Sequence, residues 1–303
     1  MKRLLFVLFV IIVSQLFNTS FPQGNGIKTI VIDAGHGGKD PGCVGKQAKE
    51  KDITLSVALK LGEMIKTNHP NINVIYTRQT DDFVELIERA EIANRNSADL
   101  FISIHCNASK TKSSYGAETF VMGLHKSDAN LEVAKKENSV ILLEKDYIKK
   151  YDGFDPNSPE TQIIFSLYQN AFLEQSLIFA SEIQKKLSSK SKRFDRGVKQ
   201  AGFLVLYKTT MPGVLIEIGF LSNQKEEEFL ITDEGQNIIA KSIYEAFSNY
   251  KKQIEKKIQI SKSTTDLKKN TKNNTDIIYN KPDSTVIAKK EDTTIKNIIE
   301  NKT

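Results

Sequence analysis

The sequence predicts an α/β fold: a single twisted, mostly parallel sheet flanked by helices, with one helical insertion. Short apolar runs rich in β-branched residues recur along the chain, as is typical of buried strands. Segments with apolar residues at helical spacing lie between these runs, and such alternation favours parallel strands joined by helices. The 303 residues, 39% of them hydrophobic, suffice for one large domain with extensions.

The N-terminal segment has the pattern of a secretory signal peptide. Lys2 and Arg3 precede an unbroken apolar stretch from Leu4 to Val13, and polar and small residues follow up to about Gly24. The apolar run is shorter than the roughly 20 residues that a membrane span requires, so an uncleaved anchor is the weaker interpretation. We expect residues 1–24 to be removed, leaving an exported protein of the periplasm or cell envelope with no membrane span. Export argues against kinases and dehydrogenases, because their cofactors are scarce outside the cytoplasm.

The globular part is expected to span residues 27–250 and to contain six strands and three helices outside the insertion. The strand candidates are 29–33, 73–77, 100–105, 117–122, 203–206 and 214–218. The helix candidates, each with an apolar face at helical spacing, are 50–66, 84–96 and 233–250.

The regular alternation fails in two places. Between residues 123 and 175, helical patterns at 128–147 and 160–187 flank a turn-rich loop at 152–159, and this stretch is too long for a simple connection. We interpret it as a helical insertion. Beyond Tyr250, Lys, Thr, Asn and Asp dominate, which predicts a disordered tail over 251–303, with a degraded accessory domain as the alternative.

Three side chains are candidates for a metal site. His36 follows the first strand in a glycine-rich turn, and His105 ends the third, so both are expected at the carboxyl edge of the sheet. Glu50 opens the helix that follows the glycine-rich turn. Two imidazoles and one carboxylate with an open fourth position are a common catalytic zinc set. Zinc would lower the pKa of a water in that position towards about 7.

A fourth candidate, Glu217, interrupts an otherwise apolar strand. A carboxylate buried there needs a cation, a hydrogen-bond partner or a catalytic role, and it could act as a general base. Plainer explanations exist for each residue alone: Glu50 would be favoured by the helix dipole, and Glu217 could pair with Arg78 or Arg196. The combination favours a metal site, because two of only four histidines end strands.

Two further features of the composition are the cysteine content and the net charge. Cys43 and Cys106, the only cysteines, could pair in an oxidising compartment or remain two small buried residues. The net charge of +6 comes without a nucleic-acid-binding motif, so we expect no nucleic-acid partner.

Five motifs give the chain a resemblance to a known family. They are VIDAGHGGKDPG at 31–42, EKD at 50–52, TR at 77–78, SIHCNA at 103–108 and VLIEIGFLSN at 214–223. In this order they resemble the zinc-dependent N-acetylmuramoyl-L-alanine amidases of the type that separates bacterial daughter cells. The resemblance covers the whole expected globular part.

The resemblance implies that His36, Glu50 and His105 bind Zn²⁺ and that Glu217 is catalytic. The implied reaction is direct hydrolysis of the amide between N-acetylmuramic acid and L-alanine in peptidoglycan, in cell-wall remodelling and daughter-cell separation. A non-catalytic peptidoglycan-binding module, or a zinc peptidase or deacetylase acting on another cell-surface substrate, is the competing hypothesis.

Other residues at family-like positions are expected to have supporting roles. Arg78, Arg89 and Asn94 would brace the site, Asn107 would orient His105 or contact substrate, and the loop 196–202 would line the cleft.

The resemblance also implies a role for the insertion. Related amidases carry a helical insertion that covers the zinc cleft until an activator protein displaces it. We expect one acidic residue of the segment 123–175 to approach the zinc, with Glu160 as the first candidate and Glu137 and Glu174 as competitors. The alternative is a helical decoration that only shapes the substrate groove.

Overall fold

The computed structural model of the protein describes residues 26–151, 153–155, 158 and 171–276. Two compact units divide the chain, one ending at Ile258 and one beginning at Gln259, and every described strand lies in the first. The expected signal peptide falls outside the described residues. Among those that are described, no helix is both long and apolar enough to cross a membrane.

Six strands form one mixed sheet. They are β1 (Thr29–Ala34), β2 (Asn73–Tyr76), β3 (Leu100–Asn107), β4 (Ala117–Met122), β5 (Asp195–Ala201) and β6 (Gly213–Phe220). The strand order is β2-β1-β3-β6-β4-β5, and every neighbouring pair is parallel except β4 and β6. The predicted mostly parallel α/β sheet is therefore confirmed.

Helices cover both faces of the sheet. In the described part of the chain they are α1 (Glu50–Asn68), α2 (Leu86–Arg95), α3 (Asp128–Asn138), α4 (Tyr147–Lys150), α5 (Leu173–Ser189), α6 (Leu204–Tyr207), α7 (Gln224–Leu230) and α8 (Asp233–Asp276), with a 3₁₀ helix at Ser139–Leu143. One core layer joins the sheet to α1, α5 and α8, and the other joins it to α2, α6 and the 3₁₀ helix. Because both faces are covered, the central strands β3 and β6 are buried along their whole length.

The structure corrects the predicted strand at 203–206. This segment forms the short helix α6, and its apolar residues pack into the core, with the Phe203 and Phe120 rings 5.1 Å apart. The strand that completes the sheet is β5, whose sequence DRGVKQA carries no apolar run. As an edge strand it is largely half-exposed, which explains why its residues are polar.

The insertion and the C-terminal segment also differ from their predicted bounds. The helix expected over 128–147 ends at Asn138 and continues as the 3₁₀ helix and α4, while the second begins at Leu173 in the described part of the chain. The closing helix extends past Tyr250 to Asp276, where the sequence predicted a disordered tail. Residues 236–276 contain neither Gly nor Pro, so nothing local terminates the helix. The rest of the tail lies outside the described residues.

Candidate active site

The three predicted ligands meet at the carboxyl edge of the sheet. β1 and β3 are adjacent and parallel, with Ala34 opposite Ile104, so the residues that follow them are brought to one point. His36 lies two positions beyond the end of β1, and His105 lies two residues before the end of β3. Glu50 is the first residue of α1, which packs on both strands.

The ligand atoms of this group surround a common centre. Glu50 Oε1 lies 3.0 Å from His36 Nε2 and 3.2 Å from His105 Nδ1, and the two ring nitrogens are 3.2 Å apart. Ligands held at zinc bond lengths in a tetrahedron lie about 3.3–3.5 Å from one another. The observed spacings are therefore close to those of a metal site.

A fourth candidate ligand comes from the insertion. Glu137 Oε2 lies 3.2 Å from His36 Nε2 and 3.1 Å from His105 Nδ1. With it, four buried ligand atoms lie within 4.8 Å of one another. This oxygen has no hydrogen bond of normal geometry to any described residue. A buried, unsatisfied carboxylate oxygen beside two imidazoles fits a divalent cation, so this cluster could bind a metal.

The backbone at the centre is shaped around the ligands. His36 itself has a φ of 62°, a left-handed conformation that is uncommon outside glycine. A Cβ on Gly35 would lie 2.5 Å from the His105 ring, and one on Gly42 would lie 2.6 Å from the His36 ring. Glycine is needed at both positions because the ligands occupy the space of a side chain.

Further groups orient the ligands. Asp40 Oδ2 lies 2.7 Å from His36 Nδ1, so the other ring nitrogen faces the centre. The two Glu50 oxygens accept hydrogen bonds from the backbone N–H of Cys43 at 2.7 Å and of Cys106 at 2.8 Å. Both thiols are buried and unpaired, so the structure holds no disulfide between them.

Two buried arginines brace the glycine-rich turn. Arg89 forms an ion pair with Asp33 at 2.8 Å and donates to the carbonyl of His36 at 2.8 Å. Arg78 donates to the carbonyls of Ala34 and Gly35 at 3.0 and 2.9 Å. The bracing role predicted for these arginines agrees with their contacts. Asn94 instead binds the Lys208 carbonyl near the surface, away from the turn.

Glu217 lies beside the centre on the neighbouring strand. It is paired with His105 in the β3–β6 register and is completely buried. Neither of its carboxylate oxygens has a hydrogen-bond partner among the described residues. Burial raises its pKa well above the usual value for glutamate, and the charge of Glu137 raises the pKa further. The pairing with Arg78 or Arg196 that would have given it a structural role does not occur.

The imidazoles are under strong electrostatic influence in the metal-free protein. Burial alone would lower the pKa of His36 and His105, but the surrounding carboxylates outweigh this effect. Among these carboxylates, Glu50 has the largest effect on His36, and the pKa of the His36 imidazole is raised well above 6.5. Glu137 is the strongest on His105, whose pKa is raised to about 9.

The structure shows which acidic residue of the insertion reaches the centre. Glu137, a competitor in the sequence prediction, reaches the centre, and its neighbour Lys136 lies 3.0 Å from Glu137 Oε1 and 3.7 Å from Glu50 Oε2. Glu174 is exposed on α5 and lies 3.8 Å from Lys257. Glu160, the first candidate, lies outside the described residues. Nothing local distinguishes Glu137 in the polar run KKEN, so the sequence alone could not select it.

Comparison with known proteins identifies the family of this chain. Residues 30–249 match the family described as N-acetylmuramoyl-L-alanine amidase. The amidase AmiA of Escherichia coli K12 is 32% identical over 231 residues, which cover 75% of this chain and 78% of AmiA.

Solved structures show the same fold. The catalytic domain of CwlV, an N-acetylmuramoyl-L-alanine amidase of Bacillus (Paenibacillus) polymyxa, is 32% identical, with a TM-score of 0.55 over 74% of this chain and 98% of that domain. The amidase CwlD of Clostridioides difficile, solved in complex with the GerS lipoprotein, is 30% identical, with a TM-score of 0.54 over 74% of this chain and 98% of CwlD. The family match, the AmiA relative and the shared fold lead to one conclusion: this chain belongs to the N-acetylmuramoyl-L-alanine amidase family.

Proposed function

We propose that this protein is a zinc-dependent amidase that hydrolyses the bond between N-acetylmuramic acid and L-alanine in peptidoglycan. The observation that carries the proposal is the buried, unpartnered Glu217, which lies next to His105 of a four-residue metal cluster. Family membership supplies the substrate class. The proposed setting is cell-wall remodelling and daughter-cell separation by an exported protein of the periplasm or cell envelope.

His36, Glu50 and His105 would hold the zinc ion, with Asp40 fixing the orientation of the His36 ring. When bound, zinc would supply Lewis-acid activation of water and of the scissile carbonyl. Glu217 would accept a proton from the attacking water and deliver it to the amine of the departing L-alanine. Its apolar surroundings favour this role, because a carboxylate whose pKa is raised by burial both takes and returns a proton near neutral pH.

Muropeptide digestion tests the reaction. Purified protein is incubated with peptidoglycan, with and without a chelator, and the products are analysed by mass spectrometry. An amidase releases intact stem peptides and leaves the glycan strands uncut, and the chelator stops the release. Cleavage within the peptide would indicate a zinc peptidase, loss of acetyl groups would indicate a deacetylase, and binding without turnover would indicate a non-catalytic module.

We further propose that the insertion restrains this activity through Glu137. Its carboxylate oxygen lies 3.2 and 3.1 Å from the ring nitrogens of His36 and His105, so it would compete with substrate or water for a metal ion held by them. The insertion is fixed from both sides of the cleft: Asn138 bonds the backbone of Gly202 and Leu204 at 2.8 Å, and Glu144 accepts from the N–H of Leu86 at 3.0 Å. These contacts hold the segment that carries Glu137 in place.

An activator protein would displace the insertion and open the centre. The complex of CwlD with the GerS lipoprotein shows that a relative assembles with a partner protein. A helical decoration that only shapes the groove remains the competing interpretation. Release of labelled sacculus fragments by wild type and by Glu137→Ala distinguishes the two, because only a restraining glutamate predicts faster release on its removal.

A further inference from the structure

A group of charged side chains lies one strand beyond Glu217, and neither metal binding nor proton transfer uses it. Glu118 on β4 is paired with Glu217 in the antiparallel ladder, so both side chains lie on the same face of the sheet. Glu118 is only 2% exposed. It accepts from Asn107 Nδ2 at 2.7 Å, from Arg196 Nε at 2.9 Å and from Lys199 Nζ at 2.5 Å.

This group carries more positive charge than its own carboxylate requires. One cation is enough to neutralise Glu118, yet both Arg196 and Lys199 contact it. Their side chains remain 32% and 22% exposed, so they also reach solvent. Among the described residues, no acceptor is found for Nη2 of Arg196 or for the other hydrogens of Lys199 Nζ. A surplus charge with free donors is therefore accessible to solvent on the strand next to β4.

Aromatic rings hold both cations in position. The Arg196 guanidinium lies over the Phe220 ring, 4.8 Å from its centroid, and Lys199 Nζ lies 5.7 Å from the centroid of Phe120. The shared carboxylate fixes their other side. The two cations are therefore preorganised, which reduces the entropy lost when they bind an anion.

We propose that Arg196 and Lys199 bind a carboxylate of an acidic peptide, on the peptide side of the bond to be cut. The inference rests on the proposed function and names the part of the substrate that this surface would recognise. Adjacent strands are about 4.8 Å apart, so β4 lies about 10 Å from β3 and its ligand His105. Arg196 and Lys199 begin on β5, one strand further out, but their charged ends reach back to Glu118 on β4. An extended peptide advances about 3.3–3.6 Å per residue, so two residues span about 7 Å. The carboxylate of the second stem residue is thus within their reach.

The chain offers a lysine on another surface as a matched control. A groove of about 1190 Å³ is lined by Val44, Lys46, Lys112, Tyr115 and Lys225, together with the glutamates of α7. Lys112 is exposed there and makes no contact with Glu118. Removal of its charge changes the net charge of the protein by the same amount as removal of Lys199.

The test uses two muropeptides that differ only in whether the carboxyl group of the second stem residue is free or amidated. Turnover is measured in the Glu137→Ala background and in wild type. Lys199→Gln is the main variant because Arg196 still neutralises Glu118, which protects the fold; Arg196→Gln is the second, and thermal unfolding checks both. We expect either variant to raise KM for the free-acid substrate about tenfold, with little change in kcat and no change for the amidated substrate.

The outcomes separate this inference from the proposed function. The carboxylate site would be overturned if Lys199→Gln or Arg196→Gln raised KM equally for both substrates. It would also be overturned if the KM for the free-acid substrate rose in Lys112→Gln and not in these two variants. If neither wild type nor Glu137→Ala turns over either substrate, the proposed function fails. Calorimetric measurement of the binding of the two muropeptides to the Glu217→Gln protein then still tests the site. Equal affinity for both muropeptides would overturn it. Tighter binding of the free-acid muropeptide would support it if the additional substitution Lys199→Gln abolishes the difference.

Discussion

Glu217 lies directly opposite His105 on the neighbouring parallel strand, and this register brings an unpartnered carboxylate beside one of the four residues that could bind a metal. A buried carboxylate without a partner costs free energy that a folded protein rarely accepts without a functional reason. Because the backbones of β3 and β6 are hydrogen-bonded to each other, the two side chains cannot drift apart. In the proposed mechanism, the strand pairing would thus fix the base relative to the metal-binding residues before substrate arrives.

Replacement of Glu217 by Gln should stop the reaction and leave the metal in place. The amide has the same shape but cannot accept the proton, so we expect turnover to fall by about 100- to 10,000-fold. Zinc content, measured by mass spectrometry of the purified protein, should match wild type because Glu217 is not among the four clustered ligands. Turnover within a few-fold of wild type would contradict the role of the base, and loss of zinc would show that Glu217 is a ligand.

Replacement of Glu137 by Ala should increase activity. With the insertion docked, the Glu137 carboxylate lies 3.2 and 3.1 Å from the ring nitrogens of His36 and His105, and we expect a buried charged contact of this kind to hold the docked state by about 1.5–3 kcal/mol. Removal of one such contact should favour the open centre and raise muropeptide turnover about tenfold or more, since 1.4 kcal/mol corresponds to a factor of ten. Glu174→Gln on α5 is the control and should leave turnover unchanged. Lower turnover with loss of zinc would show that Glu137 is a required ligand.

Much of the sheet and three of the four clustered residues could be predicted from the sequence. β1, β3 and β6 are buried on both faces, so their sequences are continuous apolar runs, and a histidine or glutamate in such a run is conspicuous. β5 could not be recognised because an edge strand is half-exposed and its polar sequence resembles a loop. The prediction of a strand at 203–206 was wrong because an apolar run indicates burial but does not distinguish a buried strand from a buried helix.

The remaining site residues depend on contacts that leave no local pattern. Glu137 reaches the centre because Asn138 and the 3₁₀ helix dock the insertion on the α6 region and α2. Arg196 and Lys199 meet Glu118 only because β4 and β5 are paired. Periodicity reports which face of an element is buried, but it does not report which distant element covers that face.

Replacement of Asp40 by Asn should weaken metal binding without preventing folding. The Asp40 carboxylate holds the His36 ring at 2.7 Å and increases the basicity of the nitrogen that faces the centre. Loss of such a partner typically reduces metal affinity about 10- to 100-fold. Competition with a fluorescent zinc chelator measures the affinity, and Asp52→Asn, an exposed carboxylate on α1, is the control. Unchanged affinity in Asp40→Asn would mean that the ring is oriented by other contacts.

The stability of the metal-free protein should decrease as the pH rises above neutrality. The pKa of His105 is raised to about 9 and that of His36 is also raised, so both hold a proton in the folded state that the unfolded chain loses near pH 6.5. Their contribution to stability is complete below about pH 6.5 and is lost as the pH rises through the folded pKa values. The raised pKa of Glu217 acts in the same direction. The lowered pKa values of Glu50 and Glu137 matter only at acidic pH.

Metal binding should remove most of this pH dependence. Zinc binds neutral imidazoles, so the loaded protein no longer carries the two histidine protons and must release them on binding. We expect the Tm of chelator-treated protein to fall between pH 6.5 and 9.5, the Tm of loaded protein to vary less, and zinc affinity to increase with pH over the same range. Calorimetry in buffers of different ionisation enthalpy counts the released protons. In Glu137→Ala the carboxylate that most strongly raises the pKa of His105 is gone, so the folded pKa of His105 should lie closer to its unfolded value, and the decline of Tm should be smaller and end at a lower pH. A Tm of the metal-free protein that is independent of pH over this range would contradict the charged histidine pair.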